Sequence, residues 1–498
     1  MKKVFNLLVS FVLIAGFSAC SKDDSGYQQQ EPEYPSPTPV PSEDYKGLAF
    51  ISSGESTVRL AQVGTPYEIS LEYSTDETHW KPYTIGETIT LADSTFLLFR
   101  SGEHKNRKFS KDDENYYHFE ISGPISAQGN IMSLLNRDFS TPLTKYAFFA
   151  LFEGCTSLLS APELPATTME QGCYSQMFSG CTALKYAPEL RAEVLAMKCY
   201  QHMFRGCSAL TSAPELPATT MEQGCYFGMF SECTELTSAP ELPAKALAYN
   251  CYGMMFKGCS ALTSAPELPA TTMEQGCYFG MFSECTELTS APELPAKALA
   301  YNCYGMMFKG CSALTSAPEL PATEMKSYCY NSMFTNCTGL TSAPELPAKR
   351  LESYCYNCMF EGCTSLTSAP ELPATYLVTE CYHSMFNGCT SLTSAPILPA
   401  TTLDWGCYSE MFQGCTSLTS APELPAKELI RNCYQLMFKD CSKLRYVKAL
   451  FTTSPSEETT KDWLSGVAAS GTFVKSKNAT WNVIGVHGIP KGWKIETR

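Results

Sequence analysis

The sequence predicts a repeat solenoid with one short strand and one short helix per 26 residues, preceded by an all-β, sandwich-like domain. Cysteine recurs at a strict period of 26 between about Leu151 and Leu450. The chain of 498 residues is too long for one compact core. Stacked repeats avoid this limit, because each unit buries its apolar face against the next.

The chain begins with a segment typical of an export signal. Lys2 and Lys3 precede an apolar run, Val4–Ile14, that is too short to span a bilayer. We therefore predict a signal peptide over residues 1–19.

The residues that follow resemble a bacterial lipobox. Phe17–Cys20 ends in the cysteine that such motifs lipidate, although Phe17 stands where leucine is usual. Ser21–Asp24 is similar to the acidic surface-export signal of some gut anaerobes. The resemblance implies lipidation at Cys20 and a place on the outer face of the outer membrane. The alternative is an ordinary cleaved signal with Cys20 present by chance.

Residues 20–44 contain many prolines and polar side chains, including Gln28–Gln30. Such a composition favours extended polyproline II and buries no surface. We predict a tether.

Residues 45–135 show strand patterning. Tyr67, Ile69, Leu71 and Tyr73 alternate with polar residues, as in a half-buried strand. Further apolar groups of the same kind are Ile85, Ile89 and Leu91, Phe96–Phe99, and Tyr117, Phe119 and Ile121. Short strands separated by turn residues predict a small β-sandwich.

Residues 136–450 form an array of about 12 coils. One cysteine column is Cys155, Cys181, Cys207, Cys233, Cys259, Cys285, Cys311, Cys337, Cys363, Cys389, Cys415 and Cys441. The other is Cys173, Cys199, Cys225, Cys251, Cys277, Cys303, Cys329, Cys355, Cys381, Cys407 and Cys433. In each unit a proline-interrupted piece such as Leu158–Leu164 predicts a short strand. Met169, Cys173, Met177 and Cys181, spaced by four, predict a short helix.

One strand and one helix per unit is the leucine-rich-repeat pattern. Met177–Leu184 and Ala161–Ala166 resemble the repeated phrases of BspA-type leucine-rich-repeat surface lipoproteins of gut anaerobes. Gly129–Leu135 and the tail phrase Gly488–Trp493 are similar to the same proteins. The resemblance implies adhesion to host matrix proteins or to other bacteria.

Residues 451–498 break the period, and their apolar side chains predict a C-terminal cap.

Residues 207–258 and 259–310 are identical. A recent duplication of two repeats explains the identity, so neither copy holds a unique catalytic residue.

Composition argues against several classes of function. The net charge of −14 argues against a nucleic-acid binder. His202 and His383 lie near repeat cysteines, but no nucleophile, base and orienting group come together in the sequence. Cysteine spacings of 8 and 18 do not fit zinc sites. We therefore predict that the protein is not an enzyme and binds no cofactor or metal. We also predict that the repeat cysteines are mostly free, buried thiols and that Cys358 is the one exposed thiol.

A glutamate column is the tentative binding site. Its members are Glu163, Glu189, Glu215, Glu241, Glu267, Glu293, Glu319, Glu345, Glu371 and Glu423, interrupted by Ile397. Neighbouring carboxylates repel each other, so a cation or basic partner would offset the cost. A solvated face screened by salt is the simpler explanation. Lysines four residues further on, Lys245, Lys297, Lys349 and Lys427, would offset the repulsion in part.

The leading functional hypothesis is a monomeric, non-catalytic adhesion lipoprotein for a protein or glycan ligand, attached to the membrane only through its lipid. The alternative is a glycan-capturing accessory lipoprotein of a polysaccharide-uptake system. That alternative requires aromatic platforms, for which Tyr376 and Trp405 are the only off-pattern candidates in the array.

Overall fold

A computed structural model describes residues 41–498. The predicted signal peptide 1–19, Cys20 and the tether up to residue 40 lie outside the described residues. Within residues 41–498, no helix combines the length and the apolar character that a membrane crossing requires.

The N-terminal region consists of two antiparallel sheets, as predicted. Its elements are β1 (Leu48–Ser52), β2 (Ser56–Val63), β3 (Leu71–Ser74), β4 (Lys81–Pro82), β5 (Thr88–Leu91), β6 (Phe96–Ser101), β7 (Tyr116–Ser122), β8 (Ile125–Gln128) and a 3-10 turn, Ile131–Leu134. One sheet has the order β4-β3-β6-β1-β8, and the other β5-β2-β7. Phe50 of β1 meets Phe119 of β7 edge to face, with ring centroids 5.1 Å apart, so the core lies between the sheets.

The sandwich and the solenoid share a sheet. Strand β8 pairs in parallel with β9 (Leu158–Ser160), which belongs to the first coil. Phe109 stacks on Phe148, and Phe119 stacks on Phe152 with ring centroids 5.3 Å apart. The sandwich therefore supplies the first ring of two aromatic columns that run through the array, and it covers the apolar face of the first coil.

The solenoid is confirmed, but the short helix predicted in each unit is wrong. The segment around residues 170–181 is a series of tight turns. The N–H groups of alternate residues from Gly172 to Gly180 donate to carbonyls 25 residues later, in the next coil, over 2.7–3.0 Å. Those between, such as Cys173 and Met177, donate three residues back. A helix would satisfy its N–H groups internally, whereas here half of them join the coils.

The spacing of four reflects these turns. Every fourth residue has a positive φ, for example Gly172 at 61°, Gln176 at 57° and Gly180 at 74°. A right-handed helix contains no such residue. The apolar spacing alone could not separate a four-residue turn from a 3.6-residue helical turn.

The predicted strand of each unit is regular only near the ends of the array. Beyond β9, the proline-containing segment forms a strand only at β10 (Ser420–Leu424) among residues 41–498. Intermediate coils show isolated parallel bridges, such as Ser264 with Ser290. Proline has no N–H to donate, so a continuous ladder cannot form there.

Columns of identical side chains fill the solenoid interior. The repeat Cys, Tyr, Met, Phe and Leu residues are buried. From Phe152 to Phe438, successive phenylalanine rings stack with centroids 5.5–5.8 Å apart. Each coil therefore depends on both neighbours for its core.

Glycine and bulky residues alternate between successive coils in the duplicated region. A Cβ on Gly253 would lie 2.9 Å from the ring of Phe227 in the preceding coil, and one on Gly305 would lie 3.3 Å from Phe279. One coil therefore contributes the phenylalanine ring, and the glycine of the next coil leaves the space that this ring occupies. This alternation gives a packing reason why the duplicated unit contains two coils.

The C-terminal residues cover the last coil. Strands β10, β11 (Tyr446–Ala449), β12 (Thr472–Lys475) and β13 (Lys494–Thr497) form a parallel sheet. A short helix, α1 (Glu457–Thr460), leads to Trp463, which is fully buried with Phe473.

Candidate binding surface

The glutamate column lies on the proline-containing side of the solenoid. All ten carboxylates are exposed. A proline precedes each glutamate, and a second proline follows two residues later except at Glu189. Shallow grooves separate adjacent coils. One groove of about 340 Å³ is lined by Pro266, Glu267, Pro292 and Glu293. Equivalent grooves lie at residues 161–191 and 343–373. We call this surface the Pro–Glu face.

Most carboxylates of the column have no ion-pair partner among residues 41–498. Arg191 binds Glu189 at 2.7 Å and holds its pKa below the usual range, and Lys448 binds Glu423 at 2.7 Å. The four lysines expected to offset the repulsion form no ion pair with the column, so that expectation is wrong. Four extended residues span roughly 13 Å, which carries each lysine away from its glutamate.

Hydroxyl groups four residues before the column glutamates bond to the neighbouring coils. Thr289 Oγ1 donates to the Thr263 carbonyl at 3.2 Å, and Thr341 Oγ1 donates to the Thr315 carbonyl at 3.2 Å. These threonines therefore strengthen the stack. The unpaired carboxylates remain the strongest hydrogen-bond acceptors on the Pro–Glu face.

All 24 cysteines of residues 41–498 are free thiols, and 23 are buried. Burial raises the pKa of Cys207 to about 12. Cys358 is partly exposed, but desolvation and the nearby Glu361 carboxylate raise its pKa to about 12. A thiol that stays protonated is a poor nucleophile, so the structure gives neither cysteine the character of a catalytic one.

Cys207 and Cys199, one from each column, differ in hydrogen bonding, which predicts different losses of stability on substitution by serine. Cys207 Sγ donates to the Phe178 carbonyl at 3.1 Å, so a hydroxyl there keeps an acceptor. Cys199 is fully buried, and its Sγ has no such acceptor among residues 41–498, unlike Cys329 of the same column, which donates to the Ala300 carbonyl at 3.3 Å. We expect Cys199→Ser to cost about 1–3 kcal/mol and Cys207→Ser less. Denaturant unfolding of both variants tests this, and equal costs would contradict it.

The histidines do not assemble a reactive site. Burial and the nearby Arg205 lower the pKa of His202. His202 Nδ1 is buried without a hydrogen-bond partner among residues 41–498, as is His383 Nδ1. In the same range, no group of three or more His, Cys, Asp or Glu side chains is placed to hold a metal ion.

Further aromatic residues, which the repeat pattern did not single out, are exposed on the array. Besides Tyr376 and Trp405, the structure exposes Tyr301 and partly exposes Tyr328 and Tyr354. These tyrosines occupy turn positions where other coils carry Gln, Gly or Asn. Comparing the same repeat position across coils, rather than searching for breaks in the pattern, would have found them.

Comparison with known proteins bears on the repeat array alone. Residues 330–455 match the model of the BspA type leucine-rich repeat region, in six copies. The match covers about a quarter of the chain. No curated protein and no solved structure matches the chain.

Proposed function

We propose that the chain is a non-catalytic, cell-surface adhesion protein that binds its ligand through the Pro–Glu face. The observation that supports this is the recurrence of an exposed, mostly unpaired carboxylate between prolines, coil after coil. Repeats of the matching type are commonly binding modules.

The mechanism is multivalent attachment. A basic, extended partner can engage several coils at once, and each further coil raises the effective concentration of the next contact. The net charge of −14 repels nucleic acid. The proposal requires no cofactor, metal or second copy of the chain.

Attachment to the cell is part of this proposal. We propose that Cys20 carries a lipid and that the chain stands on the outer face of the outer membrane. Labelled fatty acid should enter the wild type and not Cys20→Ala. External protease should cleave the protein on intact cells. Equal labelling of both forms would refute lipidation at Cys20. Full protection from protease would refute exposure on the cell surface.

The binding proposal predicts that affinity scales with the number of coils. Polylysine and a panel of host matrix proteins serve as probes. Deleting residues 259–310 removes two identical coils and should weaken binding several-fold by loss of avidity. In the full-length chain, changing Glu215, Glu241, Glu267 and Glu293 to Gln should also weaken binding and reduce its salt dependence.

The control is a matched change away from the Pro–Glu face. Glu222→Gln and Glu274→Gln alter exposed carboxylates of the same coils outside the column. These two substitutions should change the affinity by less than about twofold relative to the wild type, since surface charges beyond a Debye length are screened. Unchanged affinity after the coil deletion would reject the proposal and point to the N-terminal sandwich.

A second candidate function is capture of glycans for uptake. The observation that favours it is the set of aromatic side chains exposed at the turns, outside the Pro–Glu face.

A further inference from the structure

Four of five successive coils present an aromatic side chain at the first or second residue of the turn segment. These residues, Tyr301, Tyr328, Tyr354 and Trp405, form what we call the aromatic strip. In the coil between the last two, Tyr376 lies three residues before the turn segment and outside the strip. We propose that the aromatic strip binds a linear, neutral polysaccharide lying along the solenoid axis. The inference rests on the second candidate function, and it does not depend on the Pro–Glu face.

The rings of the aromatic strip are accessible and partly ordered by one another. Tyr301 is 43% exposed and Trp405 38%. Tyr328 and Tyr354 stack with centroids 4.5 Å apart and planes within 6°. The ring of Tyr301 packs against that of Tyr328, with centroids 5.5 Å apart. Rings held in place before binding lose little conformational freedom when a ligand arrives.

Polar groups with fixed orientations lie between the rings. Asn357 Nδ2 donates to Glu380 Oε2 at 3.3 Å. In the next coil, Asp404 accepts from the Trp405 backbone N–H at 2.7 Å and from Thr379 Oγ1 at 3.4 Å. Each carboxylate retains free lone pairs after these bonds. The strip thus alternates flat apolar surfaces with hydrogen-bond acceptors.

This alternation fits a sugar polymer. A pyranose ring has an apolar face, which packs on aromatic rings, and hydroxyls at its edge, which donate to carboxylates. Coils stacked about 4.8 Å apart place the rings of Tyr301, Tyr328 and Tyr354 one per coil, a repeat comparable with one sugar of an extended chain. Grooves lie at the Pro–Glu face, near the sandwich and beside Thr402 and Leu403, and none of them is lined by a ring of the aromatic strip. The ligand would therefore lie on the surface.

The chain contains its own comparison for Tyr301. Tyr249 occupies the same repeat position in an identical coil and is similarly exposed, at 41%. The coils on both sides of Tyr249 carry Gln and Gly at the turn, for example Gln275 and Gly276. Tyr249 is therefore an exposed tyrosine that lies outside the row of neighbouring rings.

The experiment measures binding of the full-length mature protein to soluble neutral polysaccharides, namely xyloglucan, arabinoxylan, galactomannan, laminarin and starch, by affinity gel electrophoresis and calorimetry. Tyr301→Gln and Trp405→Gln introduce the residue that other coils carry at that position, so the fold should be retained. We expect each to weaken binding about tenfold and the pair to abolish retardation. The matched Tyr249→Gln should change the affinity less than twofold.

Several results would overturn the inference. They are no binding to any of the five polysaccharides, equal loss in Tyr249→Gln and Tyr301→Gln, or binding to polylysine alone through these residues. The four Glu→Gln changes of the Pro–Glu face should leave glycan affinity unaltered. Failure of the aromatic strip is therefore distinguishable from failure of the adhesion proposal.

Discussion

The protein should unfold steeply between about pH 9 and pH 11. Burial raises the pKa of Cys207 from its ordinary 9.0 to about 12. Burial also raises the pKa of thiols in both columns, among them Cys181, Cys199 and Cys233. A thiol whose pKa is raised by folding holds its proton more tightly in the folded state. Its contribution to stability is complete below pH 9 and is lost as pH rises toward 12.

The number of thiols makes the effect large. Each contributes a loss of about 1.4 kcal/mol per pH unit above 9. With two cysteines in most coils, a coil loses roughly 3 kcal/mol by pH 10. Because solenoid stability is approximately a sum over coils, few arrays could tolerate that loss. The buried tyrosine column, including Tyr200 and Tyr226, has raised pKa values and adds to the loss at higher pH.

Circular dichroism and sedimentation across pH 7–12 measure the transition. Proton release on unfolding near pH 10.5 should approach one proton per buried thiol. Replacing Cys207, Cys233 and Cys259 with Ala should reduce that number by about three. A folded protein at pH 11, or proton release unchanged by the three substitutions, would show that the buried thiols do not control alkaline stability.

Removing one coil should be more harmful than removing two. Deleting residues 233–258 places Phe279 directly after Phe227, where the structure has Gly253, at which a Cβ would lie 2.9 Å from the Phe227 ring. Overpacking of this kind costs about 1–3 kcal/mol. The same deletion brings Glu232 beside Glu284 and removes Lys257, which lies 4.0 Å from Glu284.

Deletion of residues 259–310 is the matched control. Because 207–258 and 259–310 are identical, every remaining interface between coils already exists in the full protein. We expect its midpoint of thermal unfolding to stay close to the wild type, and that of the one-coil deletion to fall by several degrees. Equal midpoints would mean that the alternation of glycine and phenylalanine has no structural role.

The sequence by itself determined the repeat, its length and its interior. The columns headed by Cys155 and Cys173 are buried in every coil, because burial depends on apolar character and period alone. The sandwich could also be predicted, since alternation of apolar residues such as Tyr117, Phe119 and Ile121 is specific to strands.

The tertiary structure decided what the backbone does within each repeat. Residues Gly172–Gly180 satisfy half of their N–H groups in the next coil, and only the stacked array makes those acceptors available. A single unit contains no such acceptor, so the four-residue spacing of its apolar side chains indicated a helix. Stacking likewise brought Tyr328 and Tyr354 together from positions 26 residues apart. Neighbour relations between coils depend on the path of the chain, which residue spacing within one unit does not encode.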